Sequence, residues 1–484
     1  VYKRQVRDNG NYVVPEALTT MAELASGAGY RTGGFVGAFV LSSRWGLDQG
    51  FDSYTEPTGG YDPALVSFAQ IQRRADAVVD DAIAWLGRES EKPFFAWVHL
   101  YDPHLPYEPP PNYAREYVGD PYLGEVAFAD AQLGRLQAFL ESSGLDSQTL
   151  VVFAGDHGEG LGDHGEFDHG LLLYQTTARA PLIIAHPSMK GGVRRPEVVS
   201  LVDILPTVVE AIGLPVPDAV QGQSLWPLVG GAGTFEEKPV YAETHYPKLH
   251  FGWSPLTALQ SRQFQLIQST EPELYDLERD PRQEHNLFDA HSDVAQRMTR
   301  ELESLTASLA QGAMEAPSAP DADTIAKLAA LGYVASGVDS SEAQPVDDLP
   351  SPRSMLWIYN RLVEASHAMS AGDEAEGERR LLEILEANDS LVDAWLALGR
   401  LYRRQGRLAE SLSAFREAHT ERPLDPFLVS KLANAMISSQ QFAEAERLLL
   451  AAQEKHPDDP YIVFALARVM EATGRFAEAE ESFR

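Results

Sequence analysis

The carboxy-terminal part of the chain repeats itself every 34 residues, and that period limits the fold more than any other feature. Gly372, Gly406, Gln440 and Gly474 stand 34 apart, as do Ala365, Gly399, Ala433 and Ala467. Gly377, Ser411, Ala445 and Ala479 keep the same register, followed by Leu381, Phe415, Leu449 and Phe483. One unit reads Trp395-x-x-Leu398-Gly399-x-x-Tyr402, then Phe415 and Pro423. Small residues recur where two antiparallel helices must approach closely, and bulky ones recur where they interlock. An ordinary helical bundle does not hold four such columns at one spacing. The pattern is still helical at Arg484 with no cap or polar end face, and Val1–Gln5 leads into no element. The expectation is a fragment cut at both ends, with Val1–Gln5 foreign to its fold.

Residues 6–290 have a different rhythm, short apolar runs alternating with amphipathic stretches, which predicts an α/β core. Gly34–Leu41, Pro93–Leu100 and Thr149–Ala154 read as buried strands, and Arg179–Ala185 as a further one. Asp62–Arg88, Glu125–Leu140 and Leu201–Ile212 read as helices. After Pro239 the runs Val240–Thr244, Gln263–Gln268 and Glu273–Leu277 are short and turn-separated, predicting a small antiparallel subdomain on a doubly wound sheet. Residues 312–352 are rich in Ala, Pro, Ser, Asp and Glu and read as a linker with one short helix, Asp323–Leu331. The division expected is therefore 1–311, 312–352 and 353–484, the last holding about four repeats. With 71 acidic against 39 basic residues the net charge is −32, which argues against nucleic-acid or anionic-membrane partners. No apolar run reaches the ~18 residues of a membrane helix. The chain has no cysteine, so no disulfide, thiolate or Cys-ligated metal is present in it.

Chemistry concentrates in Thr149–Gly170, TLVVFAGDHGEGLGDHGEFDHG. A strand ends at Ala154, Gly155 lets the backbone turn, and Asp156-His157 project from the strand's carboxyl end, where open α/β sheets bind ligands. A carboxylate beside an imidazole suits a divalent cation, although two donors do not close its coordination. The triplet DHG occurs three times here, at 156–158, 163–165 and 168–170. His99, on an apolar strand, reads as an interior histidine. Asp163, His164 and Asp168 read as loop residues that support the site or face solvent.

Two resemblances follow from these residues. The period and columns of the repeat resemble the tetratricopeptide repeat, which implies a protein partner bound along a concave face. Val151–Gly165 resembles the second metal-binding segment of the sulfatase family of the alkaline-phosphatase superfamily. Phe94–Pro106 (FFAWVHLYDPHLP) is similar to that family's strand ending in a Pro-His pair, and Glu273–Leu287 (ELYDLERDPRQEHNL) to its closing motif. Repeats behind a sulfatase-like domain are also a bacterial arrangement.

The resemblance implies Asp156 and His157 as ligands of one divalent metal, calcium first, with manganese or zinc as alternatives. It implies His104 and His169 as catalytic and substrate-binding groups, and Asn9 as a further contact to the substrate anion. His169 stands near where many sulfatases place a lysine, and some phosphoryl-transferring relatives have histidine in this region. The family's nucleophile and Asp pair have no counterpart in this chain, so the fragment is expected to be inactive. The implied activity of the intact parent is hydrolysis of a small sulfuric or phosphoric ester. The alternatives are a phosphoryl-transferring or phosphodiesterase relative and a non-catalytic scaffold acting through its repeats. The family also points to an extracytoplasmic setting: periplasmic, secreted or membrane-tethered.

Overall fold

The computed structural model describes residues 13–57, 72–189, 191–230, 233–309, 348–370, 372–457 and 459–482. Asn9, the linker helix Asp323–Leu331, Phe483 and the first part of the Asp62–Arg88 helix lie outside the described residues.

Helix α1 (Met21–Gly27) leads into β1 (Arg31–Val36), which pairs in parallel with β2 (Ser53–Thr55) and β3 (Phe94–His99) in the order β2-β1-β3. The strand expected at Gly34–Leu41 begins earlier and stops at Val36, and the chain then turns into a 3-10 segment, Phe39–Leu41. Close packing explains this shift. A β-carbon on Gly33 would stand 2.9 Å from the Trp85 ring, and one on Gly37 3.0 Å from the Arg73 carbonyl oxygen. Helix α2 (Ala75–Leu86) lays Val78, Ala82, Trp85 and Leu86 on Phe35 of β1. After a short α3 (Pro111–Glu116), the long α4 (Pro121–Ser142), capped by Asp120, packs on α2.

β4 (Val151–Ala154) pairs antiparallel with β5 (Leu182–Ala185) beyond the one-turn helix α5 (Gln175–Ala178). Contrary to the reading of β3 and β4 as buried strands, β3 is half-buried throughout, and Val151 and Phe153 are 42% and 37% exposed. The cause is a cavity of about 2460 Å³ between the two sheets, into which both strands turn apolar side chains. Helix α6 (Ile204–Ala211) follows a 3-10 turn at Leu201–Asp203.

The small sheet has four antiparallel strands rather than the three read from sequence: β6 (Val240–Thr244), β7 (Leu256–Gln260), β8 (Phe264–Gln268) and β9 (Glu273–Asp276), with α7 (Tyr246–Phe251) between β6 and β7. The missed strand, LTALQ, is short and lacks β-branched or aromatic runs, yet Leu256, Ala258 and Leu259 are all buried. Helix α8 (Ser292–Leu309) covers one face of this sheet with Val294, Ala295, Met298 and Leu302.

The repeats follow as antiparallel helix pairs: α9 (Pro352–Ser370) with α10 (Glu374–Ala387), α11 (Val392–Arg404) with α12 (Leu408–Glu421), α13 (Pro426–Ser438) with α14 (Phe442–Gln453), and α15 (Pro460–Ala472) with α16 (Phe476–Ser482). Ala365, Ala433 and Ala467 are fully buried, and a β-carbon on Gly399 would meet the Phe415 ring at 2.8 Å. The repeats pack directly on the α/β part. One apolar cluster runs from Leu171–Tyr174 through Trp253 and Tyr275 to Ile358, Leu381 and Leu398.

Candidate active site

β4 hands the chain to Gly155, where a β-carbon would stand 2.9 Å from Pro181 Cδ, and then to Asp156 and His157. Asp156 Oδ2 lies 3.7 Å from His157 Nε2, and the Asp156 side chain is 81% exposed to the open cavity. Beyond them the loop folds back on itself. Gly158 N–H donates to the Thr177 carbonyl at 2.8 Å, Gly160 N–H to that of Asp168 at 3.0 Å, and Gly162 N–H to that of Glu166 at 2.8 Å. A β-carbon on Gly158 would strike the Thr176 carbonyl, and one on Gly160 the carbonyls of Glu166 and Asp168. Only glycine permits this approach.

The fold-back brings Glu159 to the Asp168-His169 pair. His169 Nδ1 is 3.0 Å from Asp168 Oδ1 and 3.2 Å from Glu159 Oε1. Burial alone would push His169 down, but the two carboxylates outweigh it and raise the imidazole to about 10. Burial would likewise raise Asp168, yet its bond to His169 holds it below the usual carboxylate range. At neutral pH, then, His169 is an imidazolium. Its ring stacks on His157 at 4.0 Å and meets the edge of His104 at 5.6 Å.

His104 arrives from the loop after β3. It lies flat on Tyr101 at 4.3 Å, with Nδ1 2.7 Å from the Leu105 carbonyl oxygen. Burial holds it below its ordinary value despite that carbonyl, so near neutrality Nδ1–H donates and Nε2 carries the lone pair. The buried Glu125 carboxylate anchors the loop, accepting from His104 N–H at 3.1 Å and Glu108 N–H at 2.7 Å. Burial pushes that carboxyl up to about 7, against those two bonds. His99 sits at the end of β3, where its Nδ1 accepts from Gly37 N–H at 3.4 Å and burial lowers it.

The structure therefore brings together His104, Asp156, His157 and His169, while Asn9 falls outside the described residues. His164 is turned away, stacked on Tyr174 at 3.6 Å with Nε2 on the Arg282 carbonyl at 2.9 Å. Sequence reasoning passed over Glu159, whose side chain is 6% exposed and holds His169, and Glu125. Glu159 had a signal in its place between Gly158 and Gly160, directly after the first DHG, whereas Glu125 lay hidden in a helix start.

The donors fit a divalent metal at Asp156 and His157. Both side chains open into the same space, and among the described residues no Lys or Arg pairs with the Asp156 carboxylate. Glu159, Asp168 and His169 also place three donor atoms within 4.8 Å of one another, but there the imidazolium already satisfies the two carboxylates.

Structurally this is an alkaline-phosphatase-like α/β domain with a helical array behind it. A 2-O GAG sulfatase superposes with a TM-score of 0.52 at 20% identity, covering 63% of this chain and 80% of that one. A protein solved with its substrate D-glucosamine-2-N,6-O-disulfate gives 0.51 at 21% identity, covering 63% and 84%. In sequence, residues 4–214 match the family described as Sulfatase, and residues 162–308 that described as N-sulphoglucosamine sulphohydrolase, C-terminal. The amino-terminal part of the chain is thus similar to sulfatases, and residues 362–426 and 402–463 match tetratricopeptide-repeat families. An N-acetylglucosamine-6-O-sulfatase of Bacteroides thetaiotaomicron is 33% identical over 188 residues, 36% of this chain and 32% of that protein. Arylsulfatase K of Homo sapiens is 29% identical over 195 residues, 38% and 36% respectively. The chain thus spans about a third of the length of these relatives. No described helix is long and apolar enough to cross a membrane.

Proposed function

We propose that the intact protein hydrolyses sulfuric esters of a sugar with a divalent metal held by Asp156 and His157. The observation that carries this reading is the row His104, His169, His157 beside an exposed Asp156 that no Lys or Arg among the described residues pairs, at the carboxyl end of β4. The metal, calcium first and manganese or zinc as alternatives, would polarise the ester and lower the pKa of the attacking group. His169, held cationic by Asp168 and Glu159, meets charge on the non-bridging oxygens. His104 exchanges a proton with the reacting oxygen at Nε2, its Nδ1 being engaged by Leu105. The nucleophile and further ligands would come from a strand seated between β3 and β4, where both strands face the cavity. Asn9 would add a contact to the anion. A sulfated amino sugar is the substrate class, following the relatives' N-acetylglucosamine-6-sulfate and glucosamine disulfate specificities. An extracytoplasmic location agrees with such a substrate.

A second reading, transfer or hydrolysis of phosphoric esters, is favoured by one feature, the histidine at 169 near where many sulfatases have lysine. One experiment separates these and a third, the non-catalytic scaffold. The full-length protein should carry one equivalent of divalent metal and turn over an aryl sulfate faster than aryl phosphate mono- or diesters. Asp156→Ala should lose the metal and roughly 100-fold or more in rate. Faster phosphate turnover would select the second reading, and absence of stoichiometric metal the third. The 484-residue chain alone should show no turnover above its own Asp156→Ala control.

A further inference from the structure

The repeat array treats its arginines in two ways. Arg380, Arg407 and Arg475 are paired with carboxylates, to Glu376 at 2.8 Å, Glu378 at 2.8 Å and Glu446 at 2.7 Å. Arg400 and Arg403 on α11, Lys431 on α13 and Arg468 on α15 have no such partner among the described residues. These four cations crowd one another. Burial, and then the neighbouring cations, press Lys431 down to about 8 and hold Arg468 below the ordinary arginine value, against Glu471. Lys431 Nζ stands 4.6 Å over the Phe427 ring, and Arg468 Nη1 donates to Asn434 Oδ1 at 2.6 Å. In a chain of net charge −32, a mutually repelling basic row is a local exception that an anion would relieve.

The row also has a direction. Ser366, Arg400, Asn434 and Arg468 are 34 apart, so they occupy one position on the first helix of each pair. Tyr359, Asp393, Phe427 and Tyr461 occupy another. At its first member this second series touches the candidate active site, because Tyr359 Oη donates to Asp168 Oδ2 at 3.2 Å and Asp168 holds His169. Asn360 Nδ2 fixes the same loop through the Gly165 carbonyl at 2.7 Å. Ser366, Arg400 and Phe427 line the same cavity as His104, His157 and His169.

We propose that this face of the repeats is an extended binding site for a polysulfated oligosaccharide, Arg400, Arg403, Lys431 and Arg468 taking sulfate groups of the molecule whose ester lies at His104 and His169. This rests on the sulfuric-ester reading above and deepens it: the repeats hold the substrate rather than a protein. Continuity decides between the two occupants. A protein laid along a row that starts at the His169 loop would close the cavity through which the ester must enter, whereas one long anion fits both ends.

The test is titration calorimetry on the 484-residue chain with a heparin-derived hexasaccharide, its desulfated form and decaglutamate, at two salt concentrations. The sulfated hexasaccharide should bind, and the desulfated form should not. Arg400→Glu with Arg468→Glu should weaken binding roughly tenfold or more and flatten its salt dependence. Arg400→Lys with Arg468→Lys should keep most of the affinity, and Arg407→Glu, on a paired arginine, should change it less than about twofold. Circular dichroism and the thermal midpoint establish that each variant is folded. Equal affinity in the charge-reversed protein overturns the proposal. So does decaglutamate binding as tightly as the hexasaccharide and being lost in the same variant, which would assign the row to an acidic protein. Binding needs no turnover, so a full-length protein inert towards aryl sulfate would sink the hydrolase reading while leaving this result intact.

Discussion

Glycine does opposite work in the two halves of the molecule. In the repeats Gly372, Gly406 and Gly474 end the first helix of three of the four pairs at φ +86, +74 and +79, and nothing would touch a β-carbon there. In the loop after β4, Gly158 and Gly160 stand where another backbone segment leaves no room for any β-carbon. The first set is selected for conformation, the second for closeness. Strain at a turn is local and mild, whereas a steric conflict in a folded-back loop moves every side chain that the loop carries. Substitutions should therefore divide by mechanism rather than by burial.

The largest effect is expected at Gly160→Ala. The new methyl would meet the carbonyls of Glu166 and Asp168, both fixed backbone, so the hairpin must open. Opening separates Glu159 from His169 and releases Asp168 from Gly160 N–H. Destabilisation of about 3 kcal/mol is expected from forced overpacking. Calorimetric unfolding would measure it, and a histidine NMR titration would show the His169 imidazolium losing its elevated pKa. If both were unchanged, the fold-back would not be what holds Glu159 on His169.

How much of this was legible in the sequence follows the same divide. The repeats are local structure: a column of small residues and a turn residue every 34 positions define each helix pair, so the register read from sequence matches α9 to α16 closely. The placing of Asp156 and His157 was readable too, because a strand followed by glycine sets such residues at a sheet's carboxyl end, whereas His104 and His169 were implied only by the family resemblance. Their partners were not. Glu125 reaches His104 from 21 residues away and Tyr359 reaches Asp168 from 191, and no spacing rule announces contacts made only by tertiary packing. The apolar composition of β3 and β4 was read as burial, but composition records the face a strand offers and not whether a neighbour covers it. The same holds for Arg400 and Arg468, whose common register was visible while their lack of carboxylate partners was not.

A smaller effect is expected where closeness occurs inside a helix. Gly399 on α11 leaves a β-carbon 2.8 Å from the Phe415 ring, which is the end of a side chain and can shift. Ala recovers about 1 kcal/mol of helix propensity over glycine. Crowding costs about 1–3 kcal/mol. Gly399→Ala should thus lose about 1 kcal/mol, read as an earlier denaturation midpoint at unchanged slope. A gain in stability would mean that Phe415 yields freely and that closeness at this column is not a constraint.

The smallest effect has the opposite sign. Gln440 occupies the turn position that the other three repeats give to glycine, and it adopts the same left-handed backbone at φ +59. Its hydrogen bonds are those of its counterparts: Gln440 N–H to the Ile437 carbonyl at 3.0 Å and Gln441 N–H to that of Met436 at 2.8 Å, as Gly406 and Arg407 bond to Arg403 and Tyr402. The backbone is therefore fully committed, and a side chain there adds only the cost of crowding between Cβ and the following carbonyl. Glycine removes that cost but gives the unfolded chain more freedom, which offsets part of the gain. Gln440→Gly should stabilise the protein by about 0.5 kcal/mol, measured by urea denaturation against the parent. A loss instead would show that the Gln440 side chain contributes more than its conformation costs, and that this turn differs in kind from the three glycine turns it matches in register.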